Sequence, residues 1–277
     1  MSDSLDAEQS MRDGDPAVAL QLLQESVRRN PGDAKMRIFL SQLLLVLGQW
    51  ERALTQLGVA AELDAAALPM AQMYGAAIRC EAQRARVFAG SAAPLVFGQP
   101  DAWLALLIES SLHAGRGEME QAEKLRDMAF ERAPASSGTV DDQPFNWIAD
   151  ADPRLGPVLE AIINGKYYWL PFSNLSEVVI EAPQDLRDVV WMPAHFAFSN
   201  GGEAVGLVPT RYPGSELSSD SALLLSGKTD WHEVAPGMYQ GLGQRMLATD
   251  TGELPLMDIR RIAIDAQASS AGTQGMG

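Results

Sequence analysis

The sequence predicts an α+β protein of two domains: a helical repeat array over residues 1–134 and a strand-rich α+β domain over residues 144–265, built as a small sheet or barrel-like fold. Three observations predict it. The first half carries an internal period, the composition breaks after Pro134, and the second half is a series of short apolar runs separated by Pro, Gly and Asn turns. With 277 residues, each half can bury a core of its own.

The period comes from aligning Gly14–Pro31 with Gly48–Ala65. Gly14 falls on Gly48, Ala19 on Ala53, Leu20 on Leu54 and Leu23 on Leu57, each pair 34 residues apart. A third copy runs from Gly117 to Pro134, where Ala122, Ala129 and Pro134 keep the offsets of Ala19, Ser26 and Pro31. The interval from Gly48 to Gly117 is one residue longer than two periods. A 34-residue period is that of a tetratricopeptide repeat, a helical hairpin. Glycine ends the first helix and allows the turn, the small residue five positions on lets two helices approach, and proline stops the second helix. Between the second and third copies, Met70–Gly90 predicts a helix with Met73, Ala77, Cys80 and Arg84 on one face, a degenerate repeat.

After Pro134, Ala135–Pro144 (ASSGTVDDQP) is too poor in apolar groups to pack, and residues 135–143 are expected to form a linker. The pattern beyond it predicts one leading helix, in which Asp152-Pro153 precedes Leu155, Val158, Leu159 and Ile162 at helical spacing. Strands are expected around Lys166–Pro171, Glu177–Ile180, Asp188–Met192 and Ala204–Leu207. Residues 266–277, small and polar, are expected to be a disordered tail.

Composition narrows the function classes. The chain holds 21 basic and 36 acidic side chains, a formal net charge of −15. A nucleic-acid binder needs the opposite sign, because its affinity comes from neutralising phosphates. Residues 1–134 carry −5 and residues 135–277 carry −10, so the second domain holds most of the negative field. That field is either a solubilising surface or an acidic face for a basic partner. Cys80 is the one cysteine, which rules out an intramolecular disulfide or a cysteine zinc cluster. The acidic start lacks the basic and apolar regions of a secretory signal. Uncharged stretches fall short of the ~18 apolar residues a membrane span needs. A cytoplasmic location with no membrane partner is expected.

Five segments, in order, then carry a family resemblance: RCEAQRARVFAG (79–90), GKYYWLPF (165–172), DVVWMP (188–193), GLVPTRYPGS (206–215) and KTDW (228–231). Following tetratricopeptide-like helices, they resemble the ImpE/TagJ (SciE-type) family, accessory components of bacterial type VI secretion systems. The family pattern has Gly-Arg before Thr-Asp-Trp, where this chain has Gly227-Lys228. The resemblance implies a non-enzymatic adaptor of the contractile sheath. It implies as partners the small sheath subunit, through one of that subunit's helices, and the ClpV-type AAA+ ATPase that recycles contracted sheath.

The competing reading is an enzyme or small-ligand-binding protein built on the second domain. Ala222–Thr229 (ALLLSGKT) fits a relaxed phosphate-loop pattern, but Leu223–Leu225 read as a strand and no Gly-rich cradle precedes Lys228. His113, His195 and His232 lack metal-ligand spacing. Ser215 lacks the nucleophile elbow, and Cys80 lies on a packed helix face. No catalytic, metal or cofactor residue is assigned. Tyr167, Tyr168, Trp169, Trp191 and Trp231 are expected to fill the core rather than line a ligand pocket. The remaining candidate site is the inner groove of the array, where the 34-residue register places Lys35, Ile38, Gln42 and Leu45 to receive a partner helix. The alternative is that Ile38 and Leu45 are interhelical core.

Overall fold

A computed structural model describes residues 6–266 other than Glu8, Arg12 and Gly237. Residues 267–277, most of the expected tail, lie outside the described residues. The helical half consists of α1 (Pro16–Arg29), α2 (Ala34–Val46), α3 (Trp50–Leu63), α4 (Leu68–Phe88), α5 (Ala102–Gly115) and α6 (Met119–Arg132). Aspartates open the first two: the Asp15 carboxylate accepts from the Val18 N–H and that of Asp33 from the Met36 N–H, satisfying donors the helix leaves free. The degenerate repeat is one long helix, α4, that begins two residues before the span predicted for it and ends two before its limit.

The repeat glycines share one local geometry. Gly14, Gly48 and Gly117 all have positive φ, at +76°, +64° and +81°. In each case the glycine N–H donates to the carbonyl three residues back, and the following N–H donates to the carbonyl five back: Gly48 to Leu45 and Gln49 to Leu44, Gly117 to Ala114 and Glu118 to His113, Gly14 to Met11 and Asp15 to Ser10. This left-handed cap closes the first helix and starts the second within two or three residues. The small residues at the fixed offsets, Ala19, Ala53 and Ala122, then Ser26, Ala60 and Ala129, are all buried where the hairpin helices meet.

The strand-rich half is one large open antiparallel sheet with two small ones. Its strands are β1 (Gly138–Val140), β2 (Gln143–Phe145), β3 (Ile148–Asp150), β4 (Val158–Ile163), β5 (Lys166–Pro171), β6 (Leu175–Ile180), β7 (Trp191–Phe198), β8 (Glu203–Pro209), β9 (Thr229–Ala235), β10 (Met238–Gly243), β11 (Met246–Thr249), β12 (Gly252–Pro255) and β13 (Arg261–Ile264), with a short helix α7 (Ser221–Leu224) before β9. The large sheet has the order β2-β1-β13-β6-β7-β8-β4-β5; β12-β11-β3 and β10-β9 form the others. With β2 and β5 at its two edges the large sheet is open, so of the two architectures expected the sheet is right and the barrel is not.

Three local expectations are corrected. Residues 135–143 are not free chain: β1 pairs with β13 and with β2, Ser136 and Val140 are buried, and the backbone of this polar stretch is held by the sheet. The helix expected over residues 152–162 is a turn followed by β4. All six residues of β4 are buried, because they alternate between two cores: Val158, Glu160 and Ile162 face the helices, Leu159, Ala161 and Ile163 the opposite side. A strand buried on both faces gives a continuous apolar run that periodicity cannot separate from a buried helix. Leu223 and Leu224 lie in α7, not in a strand.

The two cores divide the sheet's faces. One face, with Phe145, Leu159, Phe172, Val178, Phe196 and Ile262, is covered along its length and joins the small sheet through Ile148 and Leu247. The other packs on the helices: Val158, Tyr167, Trp169, Trp191 and Leu207 share a core with Leu43–Val46, Tyr74, Ala77 and Leu107. That second face is covered only in part. Away from Leu207 at the end of β8 and Trp191 at the start of β7 it is open, with Val205 of β8 71% exposed and Val179 of β6 38% exposed.

Candidate functional site

The seam between helices and sheet holds a network of buried charge. Arg84, on the apolar face of α4, donates from Nε to Glu160 Oε1 at 2.7 Å and from Nη2 to Glu160 Oε2 at 3.0 Å. Glu160 is the one charged side chain of β4, and it also accepts from Arg245 and from the Tyr167 hydroxyl. Arg245 in turn donates to Asp150 and, through Nε, to the Pro209 carbonyl at 2.9 Å. Asp150 accepts from the Tyr212 hydroxyl at 3.0 Å, and Trp169 Nε1 donates to the Tyr167 oxygen at 2.7 Å. Arg84, Arg245, Glu160 and Asp150 are each at most 3% exposed, two cations against two anions. Such a balanced cluster is tolerated in a low dielectric only because nearly every donor and acceptor is matched.

Electrostatics follow from that pairing. Burial alone would raise the Glu160 carboxyl, but Arg84 and Arg245 outweigh it and hold the group at about 2. Burial pushes Asp150 up to about 6 against the pull of Arg245, helped by the neighbouring Asp152. Burial also raises Tyr167 and Tyr212 well above the ordinary phenol range, so both hydroxyls remain donors. The cluster has neither the opening nor the unpaired nucleophile that a reaction requires; its chemistry is cohesion.

A second set of bonds ties the sheet to helix ends. Arg211 donates to the carbonyls of Val46 (2.7 Å) and Leu45 (3.1 Å) at the C-terminus of α2 and to that of Leu224 (2.7 Å) at the end of α7, adding a side-chain cap to helix ends. Trp191 Nε1 donates to Glu81 at 2.8 Å while its ring lies 5.9 Å from Trp50 and 6.1 Å from Tyr74. Thr210 Oγ1 donates to the Asp188 carbonyl, and the Asp188 carboxylate accepts from the Gln184 and Asp185 N–H groups. The five motif segments therefore meet at one place. Glu81 and Arg84, Tyr167 and Trp169, Asp188 and Trp191, Thr210 to Ser215, and Trp231, its ring tilted 51° to that of Tyr212 at 5.7 Å, all build or flank the seam.

Of the groove residues expected on α2, Lys35 is exposed and Ile38 half-buried, but Gln42 is buried and Leu45 fully so. The structure thus does not bring the four together on an open surface. Arg211 binds the end of α2 and Trp191 shares a core with it, which makes Leu45 interhelical core rather than a groove residue. Tyr167, Trp169 and Trp191 are core, Tyr168 is half-buried, and Trp231 is exposed at its rim. Ser215 Oγ donates to the Tyr212 carbonyl and accepts from the Gly243 N–H, a structural role. Cys80 is buried, which pushes its thiol up to about 11. Lys228 is paired with Asp220 (2.8 Å) and Asp230 (3.0 Å). His113 sits against Glu118, His195 lies 3.6 Å from Glu203 and His232 is exposed; among the described residues no three His, Cys, Asp or Glu side chains are grouped for a metal.

Sequence reasoning missed Glu160, Asp150, Arg211 and Arg245. The available signal was a lone charge in an apolar run, as in VLEAII, and Arg84 on an apolar helix face. Buried ions of that kind demand partners, but the partners lie 76 and 85 residues from Glu160 in sequence.

Comparison with known proteins agrees with this architecture. A tetratricopeptide repeat family model matches residues 10–76 and an ImpE protein model matches residues 142–263. The type VI secretion system accessory component TagJ of Pseudomonas aeruginosa is 50% identical over 258 residues, 92% of this chain and 90% of that protein. The crystal structure of protein VPA1032 from Vibrio parahaemolyticus superposes with a TM-score of 0.84 at 27% identity, covering 94% of this chain and 97% of that one. Among the described residues no helix is long and apolar enough to cross a membrane. With matching models on both halves, the five motifs joined at one seam and half of the aligned residues shared with TagJ, the chain belongs to the ImpE/TagJ family of type VI secretion accessory proteins.

Proposed function

We propose that this protein is a cytoplasmic, non-enzymatic adaptor that binds the small subunit of the contractile sheath through a helix of that subunit, with the sheath-recycling AAA+ ATPase as a second partner. The observation that carries the reading is the 50% identity to TagJ across nearly the full length of both chains. The geometry supports it: the most heavily bonded polar cluster is sealed and structural, leaving the outer surfaces of the molecule for its partners. Of the α2 residues, Lys35 and Ile38 reach the surface, while buried Leu45 has no place on a contact surface.

Titration calorimetry of the full chain with the purified small sheath subunit tests the reading. Three or four apolar anchors at about 1.5–3 kcal/mol each, set against an association cost of ~4 kcal/mol or more, leave at most about 8 kcal/mol, an affinity of about micromolar or weaker. Saturable binding in that range, and a ternary complex when the ATPase is added, are expected. Absence of heat at subunit concentrations about a hundredfold higher contradicts the adaptor reading.

A further inference from the structure

The open part of the sheet's helix-side face ends in a cleft of about 560 Å³ between α4 and the strands. Met70, Met73 and Tyr74 line it from the helix; Pro193, His195 and Val205 line it from β7 and β8. Met73 is 46% exposed and Val205 71%, so large apolar side chains face solvent across the same depression. Exposed Glu181, half-buried Asp185 and, deeper, buried Asp188 line the cleft against one cation, Arg187, whose charge is already engaged by Asp185 and laid over the Tyr74 ring at 4.6 Å. The field over the cleft is therefore negative, in the domain that holds two thirds of the chain's net charge.

Construction of the neighbouring face indicates the shape of the occupant. The covered half of this same face is covered by helices, with α4 against β5, and a sheet face completes its layer with the next helix alongside. We propose that this cleft docks an amphipathic helix of a protein partner, its large apolar residues at i, i+3 and i+4 seated between Met73 and Val205 and its Lys or Arg residues against the acidic rim. The proposal rests on the adaptor reading and locates its contact: the helix completes the layer beside α4 instead of entering the array's inner groove.

The test uses the full chain and the purified small sheath subunit in calorimetry, with Met73→Glu, Val205→Glu and Glu181→Lys as cleft variants and Lys35→Glu and Ile38→Glu as variants of α2. Melting temperatures certify that each variant is folded; Val205 and Met73 are exposed enough to accept a polar side chain. The expected result is a tenfold or greater loss of affinity for Met73→Glu and Val205→Glu. Glu181→Lys should lose less, and less still at high salt, while the α2 variants stay within twofold of the parent. If the parent binds and the folded cleft variants bind equally well, the cleft assignment is overturned and the adaptor reading stands. If the parent does not bind, the adaptor reading falls and this inference with it. Light scattering that shows a dimer of the chain broken by Val205→Glu overturns the proposal in favour of a second copy as occupant.

Discussion

The helical array and the strand-rich region hold themselves together by opposite means. In the array the same three-residue device recurs at Gly14, Gly48 and Gly117, every bond in it spans five residues or fewer, and buried alanines do the packing. In the strand-rich region β1 pairs with β13, β4 with β8, and the stabilising charges come from positions as far apart as Arg84, Glu160 and Arg245. Local devices repeat and can be read along the chain, whereas nonlocal ones occur once and are visible only after folding. The seam is where one region depends on the other, and the variants below separate their contributions.

Glu160→Gln is expected to have the largest effect. It leaves Arg84 and Arg245 in the seam without their shared carboxylate, and removing one partner of a buried ion cluster costs about 3–5 kcal/mol. Urea unfolding measures it; a loss below about 1 kcal/mol would show that the cluster is incidental. The same variant fixes a pH dependence. Because Glu160 is held at about 2 in the folded protein against an ordinary 4.5, its ionised form stabilises the fold above pH 4.5, and that contribution is lost as the pH falls through 2. The parent's advantage over Glu160→Gln should therefore shrink between pH 4.5 and pH 2, and an advantage that grows on acidification contradicts the assignment.

Glycine substitutions come next and compare the two regions directly. Gly117→Ala forces a left-handed alanine but meets nothing within 4 Å, and should cost about 1–2 kcal/mol. Gly48→Ala carries the same strain, and its new methyl would lie 2.7 Å from Cγ of Glu216, a sheet-region residue. It should cost measurably more. Equal melting temperatures for the two variants would mean that Glu216 moves aside freely.

Much of the array could be read from the sequence because its signals are local: the glycine spacing, the small residues and Pro31 and Pro134 lead straight to the hairpins. The sheet was only half legible. Lys166–Pro171 is β5 to the residue, yet the apolar run of its partner β4 reads as a helix although Asn164-Gly165 between them is a hairpin signal, both residues having positive φ. Residues 135–143 misled because a strand whose backbone is paired on both sides needs few apolar side chains. Leu45 misled for the converse reason: repeat register gives the face of a helix but not what another part of the chain lays over it.

Smaller effects are expected at the surface. Limited proteolysis of the described region should cut first in the exposed stretch 97–101 rather than at 135–143, whose backbone the sheet protects. Lys228→Ala removes exposed pairs with Asp220 and Asp230 and should leave the melting temperature unchanged, with ATP binding expected in neither the parent nor the variant. Lys228-dependent ATP binding in calorimetry would revive the phosphate-loop reading.

The central claim is that the seam makes the array and the sheet one body. Native-state hydrogen exchange across a urea series tests it most directly, by following the amides of Ala77–Arg84 in α4 and Val158–Ile163 in β4 in the parent and in Glu160→Gln. The account predicts one shared opening free energy for both segments, lowered equally by the substitution. A β4 that opens more easily in the variant while α4 keeps the parent's protection would contradict it.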